Sequence, residues 1–340
     1  MPRDVTLDDV AREAAVSRAT ASRALNGRAG VKENVRLRIE AAAKRLGYRP
    51  NRAARNLAGG RAAVIGLALN GRDLRDSPYQ AAIFHYVTAA ADHRDEGLMV
   101  LTERGEPSEV VQRLLGDGLV DGVIVTVVAL KSGWTEELLD AEIPTVLIGF
   151  HPERSDVTVV EVENRESSAT VVGHLLDSGC ERVGALAGTG MRVDARDRLD
   201  GFRLAHERRS IPVDESLIVS GNFNSLDGYQ QADQLIDNGA DGVFAANDEM
   251  AAGVYRRAIE RGLRIPEDLS IAGFDGHFTS LDRPGLSAGQ PLLTSVVQPY
   301  EELAMHAVEC LIEAIEDRQT PPNRILTPSI FYGNTTRPIT

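Results

Sequence analysis

The run Ser17-Arg18-Ala19-Thr20-Ala21-Ser22-Arg23-Ala24-Leu25 sets two guanidinium groups and a hydroxyl along the exposed side of a short helical segment, with Thr20, Ala21 and Ala24 free to pack inward. A guanidinium on such a face donates paired hydrogen bonds to the major-groove edge of guanine, or clamps a phosphate. The charge around it agrees with a polyanion partner. Residues 1–61 carry 14 Lys+Arg against 6 Asp+Glu, whereas residues 62–340 carry 23 against 44, so the overall −13 conceals a basic end on an acidic body. The basic end can face phosphates while the body is repelled from them.

Catalytic strings are missing from the sequence. Gly188-Thr189-Gly190 follows an apolar run and is shaped to cradle phosphate, but the GxGxxG and Walker spacings and the dedicated Lys-Ser/Thr are absent. No GxSxG, HExxH, CxxC or DFG-like string occurs, and His85, His151, His174 and His277 read as surface or hydrogen-bonded structural residues. Cys180 and Cys310 stand far apart without ligand-spaced neighbours, which supports neither a disulfide framework nor a zinc site. No enzyme activity, metal or cofactor is expected. The first residues, acidic where a signal peptide is apolar, and the lack of a long apolar stretch predict a cytoplasmic protein that neither enters a membrane nor is exported.

The elements that must hold the arginines come next. Thr6-x-x-Asp9 forms a capping box that opens a helix to Ala14, with Leu7, Val10 and Ala14 on one face. Ser17 caps the second helix, and Asn26-Gly27 ends it. Lys32 to Leu46 makes a third, with Val35, Ile39, Ala42 and Leu46 in one stripe and Gly47 as the stop. Three short helices with a tight turn between the first two make a DNA-reading unit. The following segment, NRAARNLAG, permits a helix of about nine residues, too short to persist in water alone.

From Val64 onward apolar runs alternate with amphipathic stretches. Strands are predicted at Val64 to Leu69, Leu98 to Thr102, Val123 to Val127, Thr145 to Gly149, Val157 to Val162, Val183 to Ala187, Leu217 to Ser220, Gly242 to Ala246 and Ser270 to Phe274. Repeated β-α alternation over this length predicts parallel sheets covered by helices, arranged as two α/β lobes.

The string TLDDVAREAAVSRATASRALNG followed by YRPNRAARNLAGG closely resembles the lactose-repressor (LacI) family of bacterial transcription regulators. Matching stretches continue in order through Asp76-Ser77-Pro78-Tyr79, Val120-Asp121-Gly122-Val123-Ile124, Arg198-Leu199-Asp200-Gly201-Phe202, Phe244-Ala245-Ala246-Asn247-Asp248, Gly273-Phe274-Asp275 and Leu293-Thr294-Ser295-Val296-Val297-Gln298-Pro299. The resemblance implies a small all-α helix-turn-helix domain over 1–49, a hinge helix or linker over 50–61, and over 62–340 a two-lobed periplasmic-binding-protein-like α/β domain with parallel sheets that binds an effector and dimerises.

It also implies roles. Arg18, Ala19 and Arg23 fall at the family's base-reading positions, the arginines reading guanine and the alanine offering a methyl group. Ser22, Asn26 and the helix N-terminus at Thr6, with Ser17 as its neighbour's cap, suit phosphate contacts. Leu57 matches the leucine that wedges into the minor groove, Ala54 a neighbouring groove position, and Asn51, Arg52 and Arg55 suit phosphates. The hinge orders only when a dimer holds two copies over DNA, so a small lobe movement can melt it.

In the effector lobes Arg198, Asn247, Asp275 and Gln298 match effector-contacting positions, expected at strand or helix ends facing the cleft. For Arg198 and Asp275 the bland reading is an inter-lobe ion pair or a helix cap. Tyr79 and Phe150 are candidate ring-stacking surfaces, and Asp194 and Glu161 add carboxylates, a combination that favours a neutral polyol over a phosphorylated ligand, while Arg198 alone leaves reception of an anion open. The expected partners are a palindromic operator, a carbohydrate-like effector and a second copy of the chain. One recognition helix per chain needs a partner to reach two half-sites, and the last residues lack the heptads of a tetramerising tail. A nucleoside or other metabolite as effector, and activation in place of repression, stay open. An exported solute-binding protein is opposed by the helix-turn-helix.

Departures from the family pattern are Ala15 at a turn position where glycine is usual, Lys32 where Ser or Thr caps the third helix, Ala21 and Ala24 in place of larger residues, and Gly276-His277 after Asp275 where a second acid is common.

Overall fold

The computed structural model describes residues 5–25, 30–48, 61–70, 77–103, 118–126, 138–149, 156–190, 192–277 and 292–339. The chain divides into two compact units, Met1–Ala62 and Ala63–Thr340.

In the first unit α1 spans Leu7–Glu13, α2 Arg18–Leu25 and α3 Glu33–Leu46. The capping box forms as expected: the Asp9 carboxylate accepts the Thr6 N–H at 3.0 Å while the Thr6 hydroxyl accepts the Asp9 N–H. Ser17 Oγ accepts the Thr20 N–H at 3.1 Å, closing the start of α2. Lys32 makes no side-chain cap, and Gly47 ends α3 in the left-handed conformation at φ 67°. Val10, Ala14, Ala21, Ala24, Ile39 and Ala42 form a shared buried core. Small alanines let the helices approach closely but bury little apolar area. Ala15 sits at φ 48°, the left-handed region in which a Cβ is unfavourable.

The second unit contains two six-stranded sheets. β1 (Val64–Asn70), β2 (Gly97–Glu103), β3 (Gly122–Thr126), β4 (Thr145–Ile148), β5 (Thr158–Val162) and β11 (Arg324–Leu326) form the first, ordered β11-β5-β4-β3-β1-β2. β6 (Val183–Ala187), β7 (Ile218–Ser220), β8 (Gly242–Ala245), β9 (Ser270–Asp275), β10 (Thr294–Val297) and β12 (Ser329–Phe331) form the second, ordered β12-β10-β9-β8-β6-β7. Neighbouring strands are parallel, as expected, with one antiparallel pair, β10 and β12, at the edge of the second sheet. The central strands are buried along their whole length, as parallel strands covered on both faces must be.

Three strands, β10 to β12, were not anticipated. Each is only three or four residues long, and β11 and β12 flank a Thr-Pro step. Runs this short give no period to read. They matter because the chain passes between the sheets three times: from β5 into α5 (Asn164–Asp177), from β10 into α9 (Tyr300–Asp317), and from β11 into β12. The helices α4 (Pro78–His93) and α9 pack together on the first sheet, while α5, α6 (Val193–Arg208), α7 (Ser225–Asp237) and α8 (Asp248–Glu260) belong with the second. Among the described residues no helix is long and apolar enough to cross a membrane.

Candidate functional site

Two candidate surfaces follow from this frame. On the first unit, Ser17, Arg18, Ala19 and Arg23 are exposed on α2, and Thr6 is exposed at the start of α1. The Arg18 side chain retains 71% of its exposure and lies only 3.6 Å from Asp8, a contact that water screens. Arg23 Nε donates back to the Ala19 carbonyl at 3.3 Å. Both guanidinium groups are therefore weakly held and available. Ser22 is half-buried, not exposed as read from periodicity. Asn26, Asn51, Arg52, Ala54, Arg55 and Leu57 lie outside the described residues, as does Phe150.

The second surface is a knot of buried charge where the chain passes between the two sheets. Its centre is Arg198, with a side chain 6% exposed. Its Nε donates to Asn164 Oδ1 at 2.9 Å and its Nη1 to the Ala246 carbonyl at 2.6 Å. Nη1 also lies 3.6 Å from Asp275 and Nη2 3.8 Å from Asp194. The flat face of the guanidinium covers the Phe274 ring at 3.7 Å from its centroid. Arg198 stands in the second turn of α6, not at an element end, and its long side chain supplies the reach. Both it and Asp275 belong to the second lobe, so their pairing is not an ion pair between lobes.

Asp275 ends β9 with φ 114°, a strained value for a residue bearing a Cβ. Its Oδ1 accepts from Gln298 Nε2 at 2.7 Å. Burial pushes its carboxyl up to about 6, although Arg198 and the Gln298 hydrogen bond pull the other way. The loop after it is pinned by Asp248, which accepts the His277 N–H and the Ser295 hydroxyl, both at 2.6 Å. Asp194, at the start of α6, is gripped by Arg192 through Nε at 3.0 Å and through Nη2. Burial pushes its carboxyl up, but Arg192 and then Arg198 outweigh that and hold it below the usual range. Asn247 caps α8 by accepting the Met250 N–H at 2.9 Å and donates to the Phe223 carbonyl at 3.3 Å. Its side-chain oxygen is thus engaged in capping α8.

The first lobe contributes Tyr79, in the first turn of α4, and Tyr300, at the start of α9, with rings edge to face at 6.0 Å. Burial, followed by the nearby Asp275, drives both phenols well above their ordinary range, so they are neutral donors. Tyr300 also stacks on His277, with oxygen and Nε2 3.1 Å apart. Glu161 is buried within β5 of the first sheet.

The structure thus joins Tyr79, Asp194, Arg198, Asp275 and Gln298 into one cluster, with Asn247 at its margin. Sequence reasoning missed Arg192, Asn164, Phe223, Tyr300 and His277. Asn164 and Tyr300 each begin a helix just after a strand, and reading every such junction for polar or aromatic groups would have found them. Arg192 gave no such signal; its Cζ lies 4.0 Å from the ring centroid of Phe223, a residue distant in sequence. Chemically, the cluster presents fixed donors, a carboxylate and aromatic edges in a buried setting, which suits recognition of a small polyhydroxylated molecule.

Comparison with known proteins bears on both surfaces. Residues 6–51 match the family described as bacterial regulatory proteins, lacI family, and residues 172–336 match a periplasmic binding protein-like domain. The HTH-type transcriptional repressor PurR of Vibrio cholerae serotype O1 (strain M66-2) is 31% identical over 325 residues, covering 92% of each chain. The crystal structure of the lac repressor dimer bound to operator and the anti-inducer ONPF has a TM-score of 0.80 at 28% identity, covering 99% of this chain and 100% of that one. The complex of the transcriptional regulator CelR with cellobiose has a TM-score of 0.71 at 28% identity, covering 97% and 99%.

Proposed function

Because this chain belongs to the lacI family of bacterial regulatory proteins, we propose that it is a cytoplasmic, sequence-specific transcription repressor. Its operator affinity is set by a small neutral effector, a carbohydrate, held between its two lobes. It acts as a homodimer and by binding, returning its ligand unchanged. The domains divide as 1–49 for reading DNA, 50–61 for the hinge and 62–340 for effector binding and dimerisation. Arg18 and Arg23 read base edges, Thr6, Ser17 and Ser22 hold phosphates, and Tyr79, Asp194, Arg198, Asn247, Asp275 and Gln298 face the effector.

One observation carries this reading. A basic helix-turn-helix with weakly held arginines occurs in the same chain as a buried cluster of arginines, carboxylates and phenols joining two lobes. A sensor needs both a DNA-reading surface and a preformed pocket that links moving parts.

The test is a selection of randomised duplexes with the full chain, followed by thermal shifts against monosaccharides, disaccharides, polyols and nucleosides. An enriched inverted repeat with half-sites about 34–36 Å apart, and its multiples, is expected. One sugar class should stabilise the protein by about 2.7 kcal/mol at 100 times its dissociation constant and change operator affinity. A library with no enriched repeat would defeat the regulator reading. A shift by nucleosides alone would replace the effector class and leave the regulator reading standing.

A further inference from the structure

The start of α6 looks built for an anion. The free N–H groups at a helix N-terminus attract negative charge, and here two arginines converge on the same point. Such a combination ordinarily draws a phosphate or carboxylate ligand. In this chain the place is already taken. Asp194, the acidic residue of α6's first turn, receives two hydrogen bonds from Arg192 and lies 3.8 Å from Arg198, with its side chain only 3% exposed. We propose that Asp194 is the cleft's resident anion, and that it selects neutral effectors against anionic ones.

The bookkeeping of charge supports this. Arg192 and Arg198 face Asp194 and Asp275, two cations against two carboxylates, all largely buried. Among the described residues of this cluster, an incoming phosphate meets no arginine that lacks a carboxylate, and it lies against the fixed and like-charged Asp194. Hydroxyl groups meet no such penalty, since they donate to a carboxylate and accept from a guanidinium.

The glycine loop before α6 fits the same account. A Cβ on Gly188 would lie 2.0 Å from Phe223 Cζ, so this glycine makes room for the ring on which Arg192 stacks. The Gly188-Thr189-Gly190 loop therefore serves an aromatic shelf and its arginine, not a phosphate.

The proposal rests on the cleft being the effector site, and the experiment separates the two. Full-length wild type, Asp194→Asn, Asp194→Ser and Asp194→Glu are titrated with inorganic phosphate against potassium chloride of matched ionic strength, and with the neutral-sugar panel, following Tm and heat of binding. Wild type and Asp194→Glu should show no phosphate-specific shift, whereas Asp194→Asn and Asp194→Ser should bind phosphate on the order of 100-fold more tightly than wild type. If removing the carboxylate lowers Tm by stranding Arg192 and Arg198, phosphate but not chloride should restore it. Equal phosphate binding by wild type and Asp194→Asn would overturn the proposal, as would an equal gain in Asp194→Glu. Sugar binding by wild type with no phosphate gain in folded Asp194→Asn would defeat charge selection and leave the effector site standing. Phosphate capture by Asp194→Asn with no sugar bound by wild type would support charge selection and reject the carbohydrate.

Discussion

Asp275→Asn should make this protein more stable at neutral pH while abolishing effector binding. The Asp275 carboxyl titrates at about 6 in the folded chain, with burial as the largest cause, against about 3.9 in an unfolded one. Below about pH 4 the group is protonated in both states and favours neither. Between about 4 and 6 the folded state keeps a proton that the unfolded state has released, so stability falls as pH rises. Above 6 the full penalty is present, about 3 kcal/mol for a gap of this size. The side chain is 6% exposed, so solvent screening does little to reduce it. Asparagine resembles the protonated acid and can still accept the Gln298 hydrogen bond, while Arg198 keeps Asn164, the Ala246 carbonyl and Asp194. Full-length wild type and variant would be melted from pH 4 to 8. Their Tm values should coincide near pH 4 and separate by about 5 °C or more above pH 7, the variant being higher. Carboxylates held below their ordinary range, such as Asp177 and Asp268, have the opposite pH dependence but occur in both proteins and cancel in the difference. A gap that is constant with pH, or a variant less stable at pH 7.5, would refute this account of Asp275.

Three further outcomes are expected. Arg18→Ala and Arg23→Ala should each relax base preference at one position of the half-site, costing about 1 to 3 kcal/mol; an unchanged preference in the randomised selection would remove that role. Leu57→Ala should weaken binding to the selected operator more than to random duplex, and equal losses on both would rule out a minor-groove wedge. Ala15→Gly should relieve the left-handed backbone at φ 48° and Lys32→Ser should supply the missing cap of α3, each stabilising the first unit by about 1 kcal/mol. Amide exchange of the α1–α3 core is the measurement, and unchanged protection in both variants would count against the strain and the empty cap.

Legibility from sequence followed the range of the interactions. The Thr6–Asp9 box, the Ser17 cap and the Gly47 stop each involve residues within one helical turn, so type and spacing suffice to find them. The long apolar strands of the sheet centres were equally plain, since burial on both faces demands unbroken Val, Ile and Leu. Arg198, Asp275 and Gln298 were found through resemblance, because nothing local to them says that they will meet. Arg192 stayed hidden although Asp194 stands only two positions on, because the ring it stacks on, Phe223, belongs to another segment. The antiparallel edge strand β12 escaped because three residues beside a proline hold no period.

The triple passage of the chain between the sheets also dictates an order of assembly on the ribosome. The first sheet lacks its edge strand β11, and the helix α9 that covers it beside α4, until all of the second lobe except its edge strand β12 has been synthesised. The nascent first lobe must therefore wait with the rim of β5 open and the seat of Leu303, Val308 and Leu311 vacant. An unpaired strand rim is a template for pairing with other chains, so the half-made protein is most exposed to aggregation while its second lobe emerges. Neither lobe is a continuous stretch of sequence. A cut between them yields two incomplete sheets, and the effector unit can be inherited, permuted or engineered only as one piece.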